Sequence, residues 1–381
     1  MSKAGEPSQS ENLSLIGRAE IDDLEAILAV VNTDGAETEH VVPGHLDTVF
    51  SRDFATGSRP QLDALYEKGK ASQWNAATDI PWEIEVDQHK VVLGNVLSFG
   101  GYMPGVTDLA DTPFRKWSIK EWLELGCESQ NWTLSQFLHG EQGALLCTAK
   151  IVQTVPWMDA KKYAATQVVD EARHVEVFSR YLDTKLSGHY PVSQHLKLLL
   201  DDIVADSRWD MTYLGMQIMV EGLALAAFRT MHEMTVEPLL REILHRVIAD
   251  ESRHIAFGVH SLREIYAELS ASELRERQEF VFEAAVRMRD RFLQQEVWER
   301  MGLPPKETLK LILQSPERKV YHDRLFQNVV PNCKKLGLLD AGDGWLRRKF
   351  GELGVLKFAD LDDSGSNDVS VGAATGHASS A

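Results

Sequence analysis

The pentads Asp170-Glu171-Ala172-Arg173-His174 and Asp250-Glu251-Ser252-Arg253-His254 repeat the same residue types at the same spacing in one chain. Glu and His three residues apart share one face of a helix, so each pentad can aim a carboxylate and an imidazole at a common point. Such a pair is half of a metal site, and two pairs call for two more carboxylates from the other helices of a four-helix bundle. Thirty residues before each pentad glutamate stand Glu141 and Glu221, both on otherwise apolar stripes. Phe137, Leu138, Ala144 and Leu145 flank the first; Gln217, Ile218, Ala224 and Leu225 flank the second. A lone glutamate in either setting would have to be protonated or expelled from the core, because desolvation disfavours the anion.

The spacing also fits a hairpin. Pro156 lies 15 residues from both Glu141 and Glu171. A helix rising about 1.5 Å per residue that turns back there returns both carboxylates to one height. In the second pair the midpoint is Val236, two residues before Pro238. The whole set recurs with an offset of 80 residues, which predicts two helical hairpins related by a pseudo-two-fold axis. The competing reading, a helix surface decorated with Glu and His, does not account for a duplicated pentad with equal spacings. Carboxylates and imidazoles together suit iron or manganese.

The pattern Glu141, Glu171-x-x-His174, Glu221, Glu251-x-x-His254 resembles the ferritin-like diiron-carboxylate superfamily, over about Trp132 to Leu269. It is most similar to the ribonucleotide-reductase-like branch, which includes bacterial diiron monooxygenase hydroxylases and acyl-carrier-protein desaturases. The resemblance implies an all-α, ferritin-like four-helix bundle with additional helices, two iron ions (manganese or a mixed pair being compatible) and dioxygen as co-substrate. It implies that Glu141 and His174 ligate one metal and Glu221 and His254 the other. Glu171 and Glu251 would bridge, and shifts of these two would open a coordination position, giving them the catalytic role. Asp170 and Asp250 match positions that hydrogen-bond the ligand imidazoles. An i, i+3 ion pair with Arg173 and Arg253 competes for them, and the arginines are read as structural.

The activity implied is oxidation of an apolar organic substrate, free or carrier-bound, by monooxygenation or hydroxylation, with electrons from an external ferredoxin-like or reductase partner. A two-electron oxidase or desaturase uses the same ligands, and a non-catalytic metal-binding or ferroxidase protein is the alternative from another class. Two departures narrow the branch. Radical-generating relatives carry a tyrosine one turn after the first ligand histidine, where this chain has Phe178; trihistidine N-oxygenases carry an extra histidine four residues before the last Glu-x-x-His, where it has Val247. Neither a tyrosyl radical nor a trihistidine ligand set is therefore expected. The small residues Ala144, Ala224 and Gly258 would leave room beside the metals, with Phe137, Leu145, Phe178, Leu225 and Phe228 as apolar walls. His139, His232, His245 and His260 are read as ordinary polar or core histidines.

Helical periodicity from Ser118 onward, cut by proline- and glycine-bearing breaks, predicts the elements that carry these residues. They are Thr133 to Val155, Asp159 to Leu186, a crossover Val192 to Ala205, Ser207 to Met234, and Glu237 to Leu269, with bracing helices near Ser272 to Met301 and Glu317 to Lys335. Glu39 to Phe114 reads as an irregular wrap holding one helix near Gln61 to Ser72, anchored by the aromatic segment Trp74 to Trp82. The expected organisation is a disordered tail over 1–20, the wrap over 21–117, the bundle over 118–361 and a second disordered tail over 362–381.

The chain has 381 residues with 40 Lys+Arg against 57 Asp+Glu, a formal net charge of -17. That balance opposes binding to nucleic acids or anionic membranes. The most apolar run, Met216 to Phe228, is interrupted by Glu221, so no membrane span is expected. Three scattered cysteines and a polar N-terminus point to a reducing cytoplasm. Residues 301–350 hold 10 Lys+Arg and 5 Asp+Glu. This stretch could dock an acidic redox partner or carrier, with a solvated face as the simpler reading. The composition also leaves room for a homodimer.

Overall fold

The computed structural model describes residues 18, 20–33, 35, 38–54, 58–99 and 112–361, and among them all regular structure is helical. Of the tails expected over 1–20 and 362–381, all but residues 18 and 20 lie outside the described residues. The N-terminal part contributes α1 (Leu24–Leu28), α2 (Pro60–Ala71) and α3 (Gln88–Phe99). The sequence reading found α2 and missed α3, whose Val91-Val92 run looks extended by propensity but is buried on one face. Residues Trp74, Ala76, Ile80 and Trp82 sit in the main core, where Trp82 Nε1 donates to the Ala76 carbonyl at 2.7 Å. The aromatic segment thus clamps the wrap onto the bundle.

Four long elements form the bundle: α4 (Ile119–Thr154), α5 (Met158–Lys185), α7 (Trp209–Tyr213) continuing through a π-helical segment (Leu214–Val220) into α8 (Glu221–Met234), and α9 (Pro238–Tyr266). The crossover α6 (Gln194–Ala205) joins the two hairpins. Helix α4 starts well before the expected Thr133, at a capping box in which Glu121 accepts from the Ser118 N–H at 2.8 Å. Its added turns bury Leu125 and Trp132 in a smaller core with Phe114 and Trp298. At the other hairpin, Glu237 caps α9 by accepting from the Leu239 and Leu240 N–H groups, and the Tyr181 hydroxyl donates to the same carboxylate at 2.9 Å. That contact pins the start of α9 against α5. The stretch Trp209–Met234 is long and apolar enough to cross a membrane, yet it is the buried third strut of this bundle.

The bracing part is more broken than its periodicity suggests. It comprises α10 (Ala271–Arg291), α11 (Gln295–Arg300), α12 (Pro305–Gln314), α13 (Pro316–Leu325), α14 (Val329–Lys335) and α15 (Trp345–Glu352). The break after α10 falls at Gln294, which adopts φ 53° and donates its side-chain amide to Thr133 Oγ1 at 3.2 Å. No proline or glycine marks it, so a tertiary contact ends that helix.

Candidate metal centre

All six predicted donors are buried and converge between the two hairpins. His174 Nδ1 stands 3.1 Å from Glu141 Oε2, 3.4 Å from Glu171 Oε2 and 3.2 Å from Glu251 Oε1. His254 Nδ1 stands 3.1 Å from Glu171 Oε1 and 3.5 Å from Glu251 Oε1. Glu171 and Glu251 therefore each reach both imidazoles. Glu141 stands beside His174, and Glu221 groups with Glu171 and His254.

Several of these atoms, close as they stand to one another, make no hydrogen bond within the protein. Glu171 Oε2, Glu221 Oε2, both Glu251 oxygens and His254 Nδ1 are buried without a hydrogen bond. Orphaned buried acceptors cost free energy, and cations at the convergence point would satisfy them. The donor set fits a pair of iron ions. Without cations, burial pushes Glu141 up to about 8 against the opposing pull of His174. Burial, Glu251 and Glu171 push Glu221 well above the carboxylate range. Burial alone would do the same to Glu171, but the charges of His254 and His174 outweigh it and hold that group low. Both histidines are raised, because the surrounding carboxylates overcome their own desolvation.

Behind the imidazoles the two pentads support each other crosswise. His174 Nε2 meets Asp250 Oδ2 and His254 Nε2 meets Asp170 Oδ2, each at 3.2 Å. Arg173 pairs with Asp170 and reaches Asp250 at 3.4 Å; Arg253 pairs with Asp250 at 2.5 Å and Asp170 at 3.1 Å. Helix i, i+3 pairing and support of the imidazoles thus coexist, where the sequence set them as rivals. The wrap completes this layer: Trp74 Nε1 donates to Asp250 at 2.8 Å, and Gln73 donates to Asp170 at 3.1 Å while accepting from Arg173.

Gln167 was missed by sequence reasoning. It is fully buried one turn before Glu171, and its amide donates to Glu171 Oε1 at 2.9 Å and Glu221 Oε1 at 3.0 Å. Its only signal was a polar residue on an inward face; the pseudo-symmetric position, 80 residues on, is the buried Val247.

The π segment ends at Glu221, and such segments recur at functional sites because they re-aim side chains within a helix. Gly258 permits it to pack: a Cβ there would lie 2.6 Å from Gln217 Cβ. Gly258 therefore leaves no open room beside the metals, contrary to expectation. Ala144 and Ala224 do line a small cavity of about 20 Å³, with Phe137 and Phe228, and it opens on Glu141, Glu221 and Glu251. Leu145 and Leu225 do not line it, and Phe178 backs the wall, its ring 5.8 Å from that of Phe228. Away from the site, His139 contacts the Tyr190 carbonyl and His232 packs against His245.

A family model described as p-aminobenzoate N-oxygenase AurF matches residues 146–337, just over half of the chain. The chain belongs to the AurF family. It is a dioxygen-activating, non-haem diiron oxidoreductase that acts on an organic substrate. The AurF match spans Glu171, His174, Glu221, Glu251 and His254, and Glu141 precedes it. The match bears out the diiron oxygenase that the sequence pointed to and names N-oxygenation for the family, while Val247 stands in the apolar core at the position where trihistidine relatives carry an extra imidazole. Among solved structures, an R2-like ligand-binding oxidase with aerobically reconstituted metal cofactor after photoconversion is 17% identical, covering 75% of this chain and 99% of that chain at a TM-score of 0.48. A point mutant of an R2-like ligand-binding oxidase with an aerobically reconstituted Mn/Fe cofactor is 16% identical over 74% of this chain and 96% of that chain, at 0.47. No curated protein matches the sequence.

Proposed function

We propose that Glu141 and His174 hold one iron, Glu221 and His254 the other, and Glu171 and Glu251 bridge them, in an oxygenase that transfers an oxygen atom from dioxygen to an organic substrate with an apolar body. The observation that carries this reading is the buried set of unpartnered carboxylate and imidazole atoms between two matched hairpins. The iron pair, when bound, supplies the electrons and open coordination that dioxygen reduction needs.

The chain's own residues prepare that chemistry. Asp250 and Asp170 accept from the Nε2 atoms of His174 and His254, which leaves each Nδ1 facing the centre. Gln167 ties Glu171 to Glu221, so one side of the pair is held by an amide while the Val247 side is apolar. Phe137, Phe178 and Phe228 form a mutually packed wall that excludes water from the cavity face. Electrons would come from a separate protein, and the N-oxygenation for which the family is named supports oxygen insertion over desaturation.

Two metals per chain should bind, and Glu171→Ala or His254→Ala should each lose at least one. With labelled dioxygen and a reductant, one labelled oxygen should enter the product. If both variants kept two metals with unchanged affinity, the ligand assignment would fall; a dehydrogenated product without label would replace oxygenation by desaturation.

A further inference from the structure

We propose that buried hydroxyl and amide groups beside the π segment, bridged by internal water, form a file that carries protons from Asp210 at one end of the bundle to the metal centre. The proposal rests on the oxygenase reading and assigns its proton supply. Inserting one atom of dioxygen leaves the other as water, so substrate, O2, two electrons from the external one-electron donor and two protons give oxygenated product and one water.

Three helices point polar stripes at the same seam. The third bundle helix is apolar enough to cross a membrane, yet Asp210, Tyr213, Gln217 and Glu221 follow one another along it at steps of three or four residues. On α5, Tyr163, Gln167 and Glu171 step by four; on α9, His254, Gly258 and Ser261 step by four and three. All three stripes lead away from the ligands toward one bundle end, where the rings of Trp157 and Trp209 meet at 5.2 Å. Between the stripes, Phe257 touches the rings of both Tyr163 and Tyr213, at 4.4 and 5.0 Å.

The polar atoms of this seam are unsatisfied. The hydroxyls of Tyr163, Tyr213 and Ser261 and both ends of the Gln217 amide are buried and make no hydrogen bond. Ser261 stands near the Tyr213 phenol without completing one. Next to the centre, Gln167 donates to Glu171 and Glu221, while Gln167 Oε1 and Glu221 Oε2 make no hydrogen bond. At the outer end, Asp210 accepts from Arg277, which also pairs with the exposed Glu276. Buried polar groups in a native core pair with protein or with water, and an internal water makes two to four hydrogen bonds. Successive stripe residues are about 4.5–6 Å apart along the helix, a gap that one bridging water spans. Burial holds both phenols far above their usual range, so they stay hydroxyls that donate and accept in turn.

The opposite end of the bundle is built differently. Eighty residues away, Tyr163, Gln167, Gln217 and Gly258 are matched by Ile243, Val247, Phe137 and Phe178. Tyr213 and Ser261 are matched by Thr133 and Tyr181, whose hydroxyls donate to the Ser129 carbonyl and to Glu237. The apolar cavity opens on the glutamates from that side. The duplicated hairpins have thus diverged into a polar end and an apolar end, which gives protons and an apolar substrate separate approaches.

The test uses the full chain. A crystal structure of the iron-loaded protein should show ordered waters joining at least two of Tyr163, Tyr213, Ser261 and Gln217; a seam without them would overturn the proposal. In the second arm, ferrous protein is mixed with limiting dioxygen, so that four ferrous ions, O2 and four protons give four ferric ions and two waters. Proton uptake is followed by stopped flow with a pH indicator. Tyr213→Phe and Ser261→Ala should each slow it at least tenfold and raise the solvent isotope effect in D2O, with iron content unchanged and melting within a few degrees of the parent. Tyr181→Phe, which removes the matching hydroxyl at the apolar end, should leave the rate alone. Unchanged uptake in Tyr213→Phe and Ser261→Ala, slowing without a larger isotope effect, or equal slowing by Tyr181→Phe would each overturn the file. If Tyr213→Phe melts far lower, Ser261→Ala decides. A ferrous protein that consumes no dioxygen would sink the oxygenase reading, while the waters of the seam still decide whether the file exists.

Discussion

Gln167 is where the two halves of the pseudo-symmetric site part company. One amide ties Glu171 to Glu221, while the equivalent position in the other hairpin carries Val247 and offers the other side nothing. Gln167→Leu should therefore affect the two metals unequally. We expect a ferrous titration to become biphasic, with one site weakened about 10- to 100-fold, as supporting hydrogen bonds of this kind are worth. The fold should survive, because the leucine is close in size and the orphaned Gln167 Oε1 disappears with the amide. A titration that stays monophasic with unchanged affinity would assign Gln167 to packing alone. The contrast with the glutamates shows what a sequence can say at this scale. The convergence of Glu141, Glu171, His174, Glu221, Glu251 and His254 was legible because covalent spacing along helices brings them together. Gln167 and Trp74 were not, because each acts through a contact between elements whose packing no spacing rule encodes.

The third bundle helix shows the same division among elements. Its existence and the position of Glu221 followed from apolar periodicity, but its passage through a π segment did not, since π geometry widens the turn without a composition signal. The partner glycine on α9 was read as empty space and is instead filled by Gln217. Gly258→Ala tests this packing. The new methyl would sit 2.6 Å from Gln217 Cβ, backbone-borne on both sides, so α9 or the π segment must shift. Overpacking of this kind costs about 1–3 kcal/mol. We expect a lower melting temperature together with weaker metal binding, because a shift of the π segment displaces Glu221 at its end. A stability loss with untouched metal affinity would show that the π segment does not set the glutamate. Elsewhere, Pro156 and Pro238 gave the bundle turns correctly, and the capping box at Ser118 was available in the sequence but overlooked. The break at Gln294 was not available, being fixed by a distant threonine.

At the scale of the whole molecule the net charge is -17, and among the described residues many basic side chains are paired with acidic ones. The basic stretch from 301 to 350 is partly neutralised in place, with Arg347 on Asp340, Arg348 on Asp343, Lys334 on Asp360 and Lys349 on Glu352, which favours a solvated face over a docking patch. The centre is the exception, where four glutamates and two histidines meet and several of their atoms make no hydrogen bond. Burial raises Glu141 from 4.5 to about 8, and Glu221, His174 and His254 are also raised. A group raised on folding stabilises most below its unfolded pKa and loses that contribution as pH climbs through its folded pKa. For Glu141 the window runs from 4.5 to about 8, and for the histidines it opens at 6.5. Asp170 and Asp250 are held low despite their burial, chiefly by His254 and His174 respectively, so their contribution is lost only as pH falls below the usual carboxylate range. The metal-free protein should therefore melt at steadily lower temperature as pH rises from about 6 to about 8. Iron should reverse that trend, because the ligands it takes must give up their protons. At a hundredfold excess over its dissociation constant it adds about 2.7 kcal/mol, so the melting gap between loaded and metal-free protein should widen with pH. Calorimetry in buffers of different ionisation enthalpy should register net proton release on ferrous binding. A metal-free melt that is flat across this range, with no proton release, would mean that the glutamates do not share one interior, and the diiron assignment would not survive it.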